Sequence, residues 1–251
     1  MIKKILLILI ILIIIILFNN DDYLKFSPKL TKTDIINIKK GQNKMTKMLE
    51  TFDKICIKYN LKYWCCGGTL IGILHSNKWL PWDGDIDICM LYDDYEKLEK
   101  IIQKELPNTM WFQSSKTDKY FKRPDKNTSH LPSKIRDLNS CYLNCQDALQ
   151  WHNGLQIDIS TYKKKQNKLI SDSNVNDYID YDYDFIFPLK RSKFDGIDVY
   201  IPNKYKEYSI KNWKHYPPKY SPISKRYPHE GKIQPNKTCY HHYELYKNLY
   251  N

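Results

Sequence analysis

A chain of 251 residues, 42% hydrophobic and 14% aromatic, can bury one sizeable core and is excluded from the generally disordered class. Its formal charge of +12 comes almost wholly from lysine, with four arginines. Lys, Ile, Asn and Tyr all have AT-rich codons and no Arg cluster is present, so the charge alone does not argue for nucleic acid, and no nucleic-acid partner is expected.

At the amino terminus, Lys3 and Lys4 precede an uninterrupted apolar run, Ile5 to Phe18, closed by Asn19, Asn20, Asp21 and Asp22. As a helix the run covers about 21 Å at ~1.5 Å per residue, short of a ~30 Å hydrocarbon core unless Met1, Ile2 and the lysine stems contribute. No small-x-small site follows, which favours a retained anchor over a cleaved signal. Lysines before the span and acids after it predict a single-pass type II membrane protein, attached through residues 5–18, with the domain lumenal or extracellular. A viral source would make that membrane the host's. In such a compartment the sequons at Asn127 and Asn236 become glycosylation sites, and the seven cysteines, an odd number, leave at least one unpaired. Cys141 and Cys145 are placed to bridge, to share a metal, or to stand as core thiols.

Residues 20–33 read as a polar stem. From Asp34 to Tyr59, Ile35, Ile38, Met45, Met48, Leu49, Phe52, Ile55 and Tyr59 recur at three and four, predicting an amphipathic helix with Gly41 as a potential break. Thr31 with Asp34 forms a capping-box pattern. Leu61 to Cys66 predicts a short buried strand ending at Gly67 and Gly68. Two glycines admit a phosphate close to backbone amides, and Thr69 to Leu74 can begin a helix whose N-terminus favours an anion.

Asp83, Asp85 and Asp87 follow at i, i+2 and i+4, one face of an extended strand, with Ile86, Ile88 and Met90 on the other. Carboxylates stacked this closely repel unless a divalent cation, Mg2+ or Mn2+, lies between them. A calcium loop needs polar intervening residues, which Ile86 and Ile88 are not. Asp93 and Asp94 read as caps of a further helix carrying Tyr95, Leu98, Ile101, Ile102 and Leu106 on one face. Ser114 to Pro132 reads as a loop, Lys134-Ile-Arg-Asp137 as a strand with charges alternating around Ile135, and Gly154 to Ile159 as an alternating strand that carries Asp158. The acids of Asp177 to Asp184 read as a solvated loop, and Tyr205 to Trp213 as a short helix.

The run GGTLIGILHSNKWLPWDGDIDI resembles the signature of the LicD/fukutin family of nucleotidyltransferase-fold phosphotransferases, usually G-G-T-L-L-G, a basic turn, then F-I-P-W-D-D-D-I-D. Gly67, Gly68, Thr69, Leu70, Gly72, Pro81, Trp82, Asp83, Asp85, Ile86 and Asp87 match. Phe187-Pro-Leu189, Phe194-Asp-Gly196 and Val199-Tyr-Ile-Pro202 resemble the family's downstream series, so the likeness spans roughly residues 45–220. It implies an α/β (α+β) fold, a nucleotidyltransferase-like mixed sheet flanked by helices after the single transmembrane helix. The implied segments are the anchor (1–19), the stem (20–33), the catalytic domain (34–220) and a C-terminal extension (221–251).

The resemblance also implies chemistry. Asp158 matches the family's third acid, making Asp85, Asp87 and Asp158 the expected catalytic and metal-holding set. Gly67, Gly68, Thr69, His75, Lys134 and Arg136 are the expected substrate contacts, Lys134 and Arg136 matching a K-x-R-D element; a solvated edge strand is the competing account of that segment. The implied partners are a CDP-linked donor, such as CDP-choline, CDP-ribitol or CDP-glycerol, and a glycan or glycoconjugate acceptor. Two departures stand out: the middle acid of W-D-D-D-I-D is Gly84, and His75 stands where a basic residue is usual. A catalytically silent glycan-binding or structural membrane glycoprotein is the rival reading.

Overall fold

The computed structural model describes residues 25–118, 121, 133–143, 154–171 and 179–239. The apolar run at 5–18, Asn127 and Cys145 lie outside the described residues. Among those described, no helix is long and apolar enough to cross a membrane.

Helix α1 (Lys32–Lys58) begins with the expected capping box: the Thr31 hydroxyl accepts from the Asp34 N–H at 3.1 Å, and Asp34 accepts from the Thr31 N–H at 2.8 Å. It runs through Gly41 without a break. The glycine serves packing instead, because a Cβ there would lie 3.0 Å from Ile233 and 3.2 Å from Leu155. Its apolar stripe, Ile38, Met45, Met48, Leu49, Phe52 and Ile55, is buried against the sheet. Strand β1 (Tyr63–Cys65) leads into α2 (Gly67–Ser76), and β2 (Ile86–Leu91) into α3 (Tyr92–Glu105). Asp93 and Asp94 do not cap α3: Leu91 occupies the cap position, and Asp94 instead accepts from the Lys62 N–H at 3.2 Å and pairs with Lys97 at 3.1 Å.

Then come β3 (Met110–Ser114), β4 (Ser133–Asp137), β5 (Cys141–Leu143), β6 (Gln156–Lys165), β7 (Lys168–Ser171) and β8 (Tyr181–Asp182). The remaining elements are α4 (Tyr183–Ile186), β9 (Lys190–Phe194), β10 (Ile197–Ile201), α5 (Tyr205–Trp213) and β11 (Lys232–Gln234). Seven strands form one mixed sheet in the order β1-β2-β6-β4-β3, with β7 and β8 continuing from the far half of β6. Strands β2 and β6 are parallel, while β6–β4 and β4–β3 are antiparallel. Helices flank this sheet, as the mixed α/β expectation required.

Three expectations are corrected. Strand β4 is interior, flanked by β3 and β6 with all five residues buried, so the Lys134–Asp137 segment is not a solvated edge. Within the described part of the acidic stretch, Tyr181 is buried while Asp180 and Asp184 stay exposed, and the chain there forms β8 and the start of α4 rather than a loop. Cys141 pairs with Cys239, 98 residues away, rather than with a sequence neighbour. That disulfide joins the antiparallel pair β5–β11, which ties residues beyond 220 to the domain.

Under α1 lies a polar knot. Arg191 on β9 donates twice to Asp53, at 2.7 and 2.9 Å, and the Tyr63 hydroxyl donates to the same carboxylate at 2.7 Å. Asp53 is 6% exposed and Tyr63 is fully buried, so the tyrosine hydroxyl has no solvent substitute, whereas Arg191 is 35% exposed and can turn to water. Replacing Asp53 with Ala is expected to cost roughly 1–3 kcal/mol by orphaning the Tyr63 hydroxyl and removing the Arg191 pair, read as a lower urea midpoint at unchanged slope.

Candidate active site

The strand–turn–helix at Cys66–Thr69 is shaped around one carboxylate. Gly67 has φ +48°, and a Cβ there would fall 2.2 Å from Asp87 Oδ2. With both glycines bare, the Gly68 N–H at the start of α2 donates to Asp87 Oδ2 at 2.9 Å, and the Thr69 hydroxyl accepts from the Asp87 N–H at 2.9 Å. The anion at this helix start is therefore the protein's own carboxylate, where the sequence pattern led us to expect a phosphate. Gly68 makes room in the same way for Asp83, whose Oδ2 would lie 2.6 Å from an added Cβ.

Strand β2 begins at Ile86, so only Asp87 of the three alternating acids lies within it; Asp83 and Asp85 belong to the turn that leads in. The turn is pinned from α1, where the Gln42 side-chain amide donates to the carbonyls of Leu80, Pro81 and Asp83 at 2.9, 3.2 and 3.1 Å. Parallel pairing sets Asp87 directly across from Asp158 on β6, and antiparallel pairing sets Lys134 across from Asp158 on the other side. Side chains at paired positions share a sheet face. Ile86, Ile88, Ile157, Ile159 and Ile135 occupy the opposite face and are fully buried. Consequently one ligand atom each from Asp85, Asp87 and Asp158 lies within 4.8 Å of the other two.

Lys134 is buried and its Nζ donates to Asp158 Oδ1 at 2.6 Å. Arg136, two residues on and on the same face, donates to Gln113 Oε1 at 3.0 Å, and Gln113 in turn donates to Asp118 at 2.7 Å. His75 is not brought to the carboxylates. It sits at the C-terminal end of α2, its Nε2 2.6 Å from the Pro218 carbonyl and its ring stacked on Tyr220. Burial lowers its pKa below the usual imidazole value. It lines a separate cavity of about 470 Å³ with Lys190, Arg191, Tyr205 and Tyr216.

The C-terminal segment adds residues that no local pattern marked. Glu230, with a side chain only 3% exposed, and His229 approach Asp85, and their ligand atoms with that of Asp85 form a second group within 4.8 Å. Arg226 anchors the segment by lying over the Trp82 ring, and closes it on itself by donating to the Ser221 carbonyl at 2.7 Å. The buried Tyr142 hydroxyl on β5 donates to the Gly84 carbonyl. Asn236, in the same segment, is exposed.

Five carboxylates thus gather here, with Lys134 paired to Asp158 and His229 paired to Glu230. Burial, then Asp87 and Glu230, holds Asp83 well above the ordinary carboxylate range; burial, then Glu230 and Asp87, does the same for Asp85. Asp87 is pushed up to about 7 by burial and by Asp158, against the opposing Gly68 N–H. Burial also raises Asp158 although Lys134 opposes it. In Glu230 burial pushes upward, but the His229 contact, a backbone N–H and Lys134 together leave the carboxyl below its ordinary value, while the Glu230 contact raises His229 to about 9. Asp83 Oδ2 is buried and accepts no hydrogen bond among the described residues. An oxygen-rich pocket with surplus negative charge and an orphan acceptor fits a divalent cation such as Mg2+ or Mn2+, with Asp85, Asp87 and Asp158 as its holders.

Residues 60–204 match the family model described as LicD/FKTN/FKRP, nucleotidyltransferase domain. The chain belongs to that family. Among curated relatives, an uncharacterised protein of Rickettsia prowazekii is 26% identical over 222 residues, covering 84% of this chain and 70% of that protein. An uncharacterised Rickettsia typhi protein is 26% identical over 210 residues, 80% of this chain and 56% of its own. The lipopolysaccharide cholinephosphotransferase LicD of Haemophilus influenzae is 25% identical over 121 residues, 48% of this chain and 42% of that protein. The match to that transferase therefore spans less than half of either chain. At the level of the LicD family, the membership supports a transferase.

Two outcomes follow from the geometry. Gly67→Ala must displace Asp87 or abandon the left-handed backbone, and it is expected to weaken Mn2+ binding at least about tenfold in calorimetric titration. The carboxyls with raised pKa hold protons in the fold that the unfolded chain releases near its ordinary value of ~4. In EDTA, stability contributed by these protons is present below that value and is lost as pH rises through about 7, the value for Asp87. Melting temperature in EDTA is therefore expected to fall between pH 5 and 8, and saturating Mn2+ to raise it more at pH 8 than at pH 5.

Proposed function

We propose that this chain is a membrane-anchored, divalent-metal-dependent phosphotransferase that moves a phospho-alcohol from a CDP-linked donor to a hydroxyl of a glycan or glycoconjugate. The observation that carries this reading is the convergence of Asp85, Asp87 and Asp158 within the segment matched to the LicD nucleotidyltransferase domain. The named activity of the Haemophilus relative supports phosphocholine as the first group to test, with ribitol phosphate and glycerol phosphate as the next.

A divalent ion held by the three aspartates would neutralise the diphosphate of the donor and withdraw charge from the leaving phosphate. The protein's own groups do the rest. Gly68 and Thr69 fix Asp87 in place before substrate arrives, so the site needs no rearrangement to receive a cation. Lys134 fixes Asp158 and brings a buried positive charge to the face where phosphate oxygens would lie. The acceptor oxygen attacks the phosphorus that bears the alcohol, the bond to the bridging oxygen breaks, CMP departs with that electron pair, and the hydroxyl proton passes to a carboxylate, a role this reading assigns to Asp158.

The apolar run at 5–18 supports anchoring by the N-terminus with the domain on the far side of the membrane. The Cys141–Cys239 disulfide supports an oxidising compartment there. Incubating the purified protein with CDP-choline, a glycan acceptor and Mn2+ is expected to release CMP, and Asp85→Asn or Asp87→Asn to lower the rate at least about a hundredfold with the fold intact by circular dichroism. Absence of CMP release from CDP-choline, CDP-ribitol and CDP-glycerol alike, by protein that still binds glycan, would leave the rival reading of a silent glycan-binding protein.

A further inference from the structure

Gly84 and Glu230 occupy one volume. A Cβ on Gly84 would stand 2.3 Å from Glu230 Oε2 and 2.7 Å from the Pro228 Cβ, so position 84 is bare because a carboxylate from 146 residues downstream fills its side-chain space. Glu230 is 7% exposed, and neither of its oxygens accepts a well-formed hydrogen bond among the described residues. His229 stands close to it, Nε2 at 2.7 Å from Oε1, with its own side chain 79% exposed. A purely structural ion pair would gain nothing from a third buried acid, yet Asp85 brings a carboxylate oxygen within 4.8 Å of both. Asp83 Oδ2, buried and accepting no hydrogen bond among the described residues, belongs to the same turn.

Asp85 is common to this group and to the group it forms with Asp87 and Asp158. A carboxylate has two oxygens, and one shared between adjoining ligand sets is the usual bridge between two cations about 3.5–4 Å apart. We propose that Asp85, His229 and Glu230 form a second divalent-cation subsite beside the first, with Asp85 bridging the two. The subsite is assembled across the chain: its turn is held by Gln42 from α1 and by Tyr142 at the Gly84 carbonyl. Its other wall is the segment anchored by Arg226 and by the β5–β11 pairing with the Cys141–Cys239 bridge. An imidazole ligand favours a transition ion, so this subsite takes Mn2+ in preference to Mg2+, whereas the all-carboxylate subsite accepts either.

The proposal rests on the metal-dependent reading above, and counting ions separates the two. Equilibrium dialysis of the full chain with Mn2+ alone is expected to give two ions per chain, with electron paramagnetic resonance lines broadened by the short distance between them. Glu230→Gln, which keeps the volume beside Gly84, and His229→Ala, at an exposed side chain, are each expected to leave one ion with a sharp six-line spectrum. Two ions in either folded variant, or one ion in the wild type, overturns the second subsite and leaves the first standing; no bound ion in the wild type overturns both. Should Glu230→Gln fail to fold by thermal melting, His229→Ala carries the same count. Excess Mg2+ is expected to displace one of the two Mn2+ ions, and displacement of both with equal ease would contradict the assigned ligands.

Discussion

Like-charge repulsion among Asp83, Asp85, Asp87, Asp158 and Glu230 is the constraint around which the domain is arranged. Two charges 4.8 Å apart interact by roughly 3–4 kcal/mol at an effective dielectric of ~20. Several such terms together rival the whole net stability of a domain, about 5–15 kcal/mol. The fold tolerates them in part because three of the acids are held by a nearby group: Asp87 by the start of α2, Asp158 by Lys134, Glu230 by His229. What these partners leave uncompensated is a demand for positive charge, and a dication is the compact way to meet it.

The glycines have meaning in the same terms. At 67, 68 and 84 the space of a missing side chain is taken by a carboxylate, from Asp87, Asp83 and Glu230 in turn. The double glycine read as a phosphate cradle is, in this structure, a carboxylate cradle, and the helix dipole of α2 is spent on a protein anion. On the function proposed above, a donor phosphate would then be met by a cation and by Lys134, which would make metal and phosphate binding interdependent at this face.

Burial also fixes the strands that carry the acids. The isoleucines of β2, β4 and β6 form a fully covered layer on the face behind the acids, so moving any of the three strands would disturb the core. The face that carries the acids is covered by less regular chain: the 80–85 turn, held by side-chain to carbonyl hydrogen bonds from Gln42 and Tyr142, and residues 221–231, held by Arg226 over the Trp82 ring. Strand framework and covering segments are thereby different layers of the molecule.

Much of this was legible without coordinates. The capping box at Thr31–Asp34, the amphipathic stripe of α1, helix α5 and the ordered GGTL…DIDI run depend on contacts within a few residues, and such contacts leave periodic or motif-like traces. Strand β3, the interior place of β4, the Cys141–Cys239 pairing and the removal of His75 to another cavity left none, because each is decided by which distant segments lie side by side. Sequence alone determined that this chain carries closely spaced acids after a glycine turn, and hence the family and the class of chemistry. Only tertiary structure decided that Asp158 stands across from Asp87, that Lys134 lies beside it, and that Glu230 fills the space at Gly84, since strand register and long-range closure are global properties that local residue patterns do not encode.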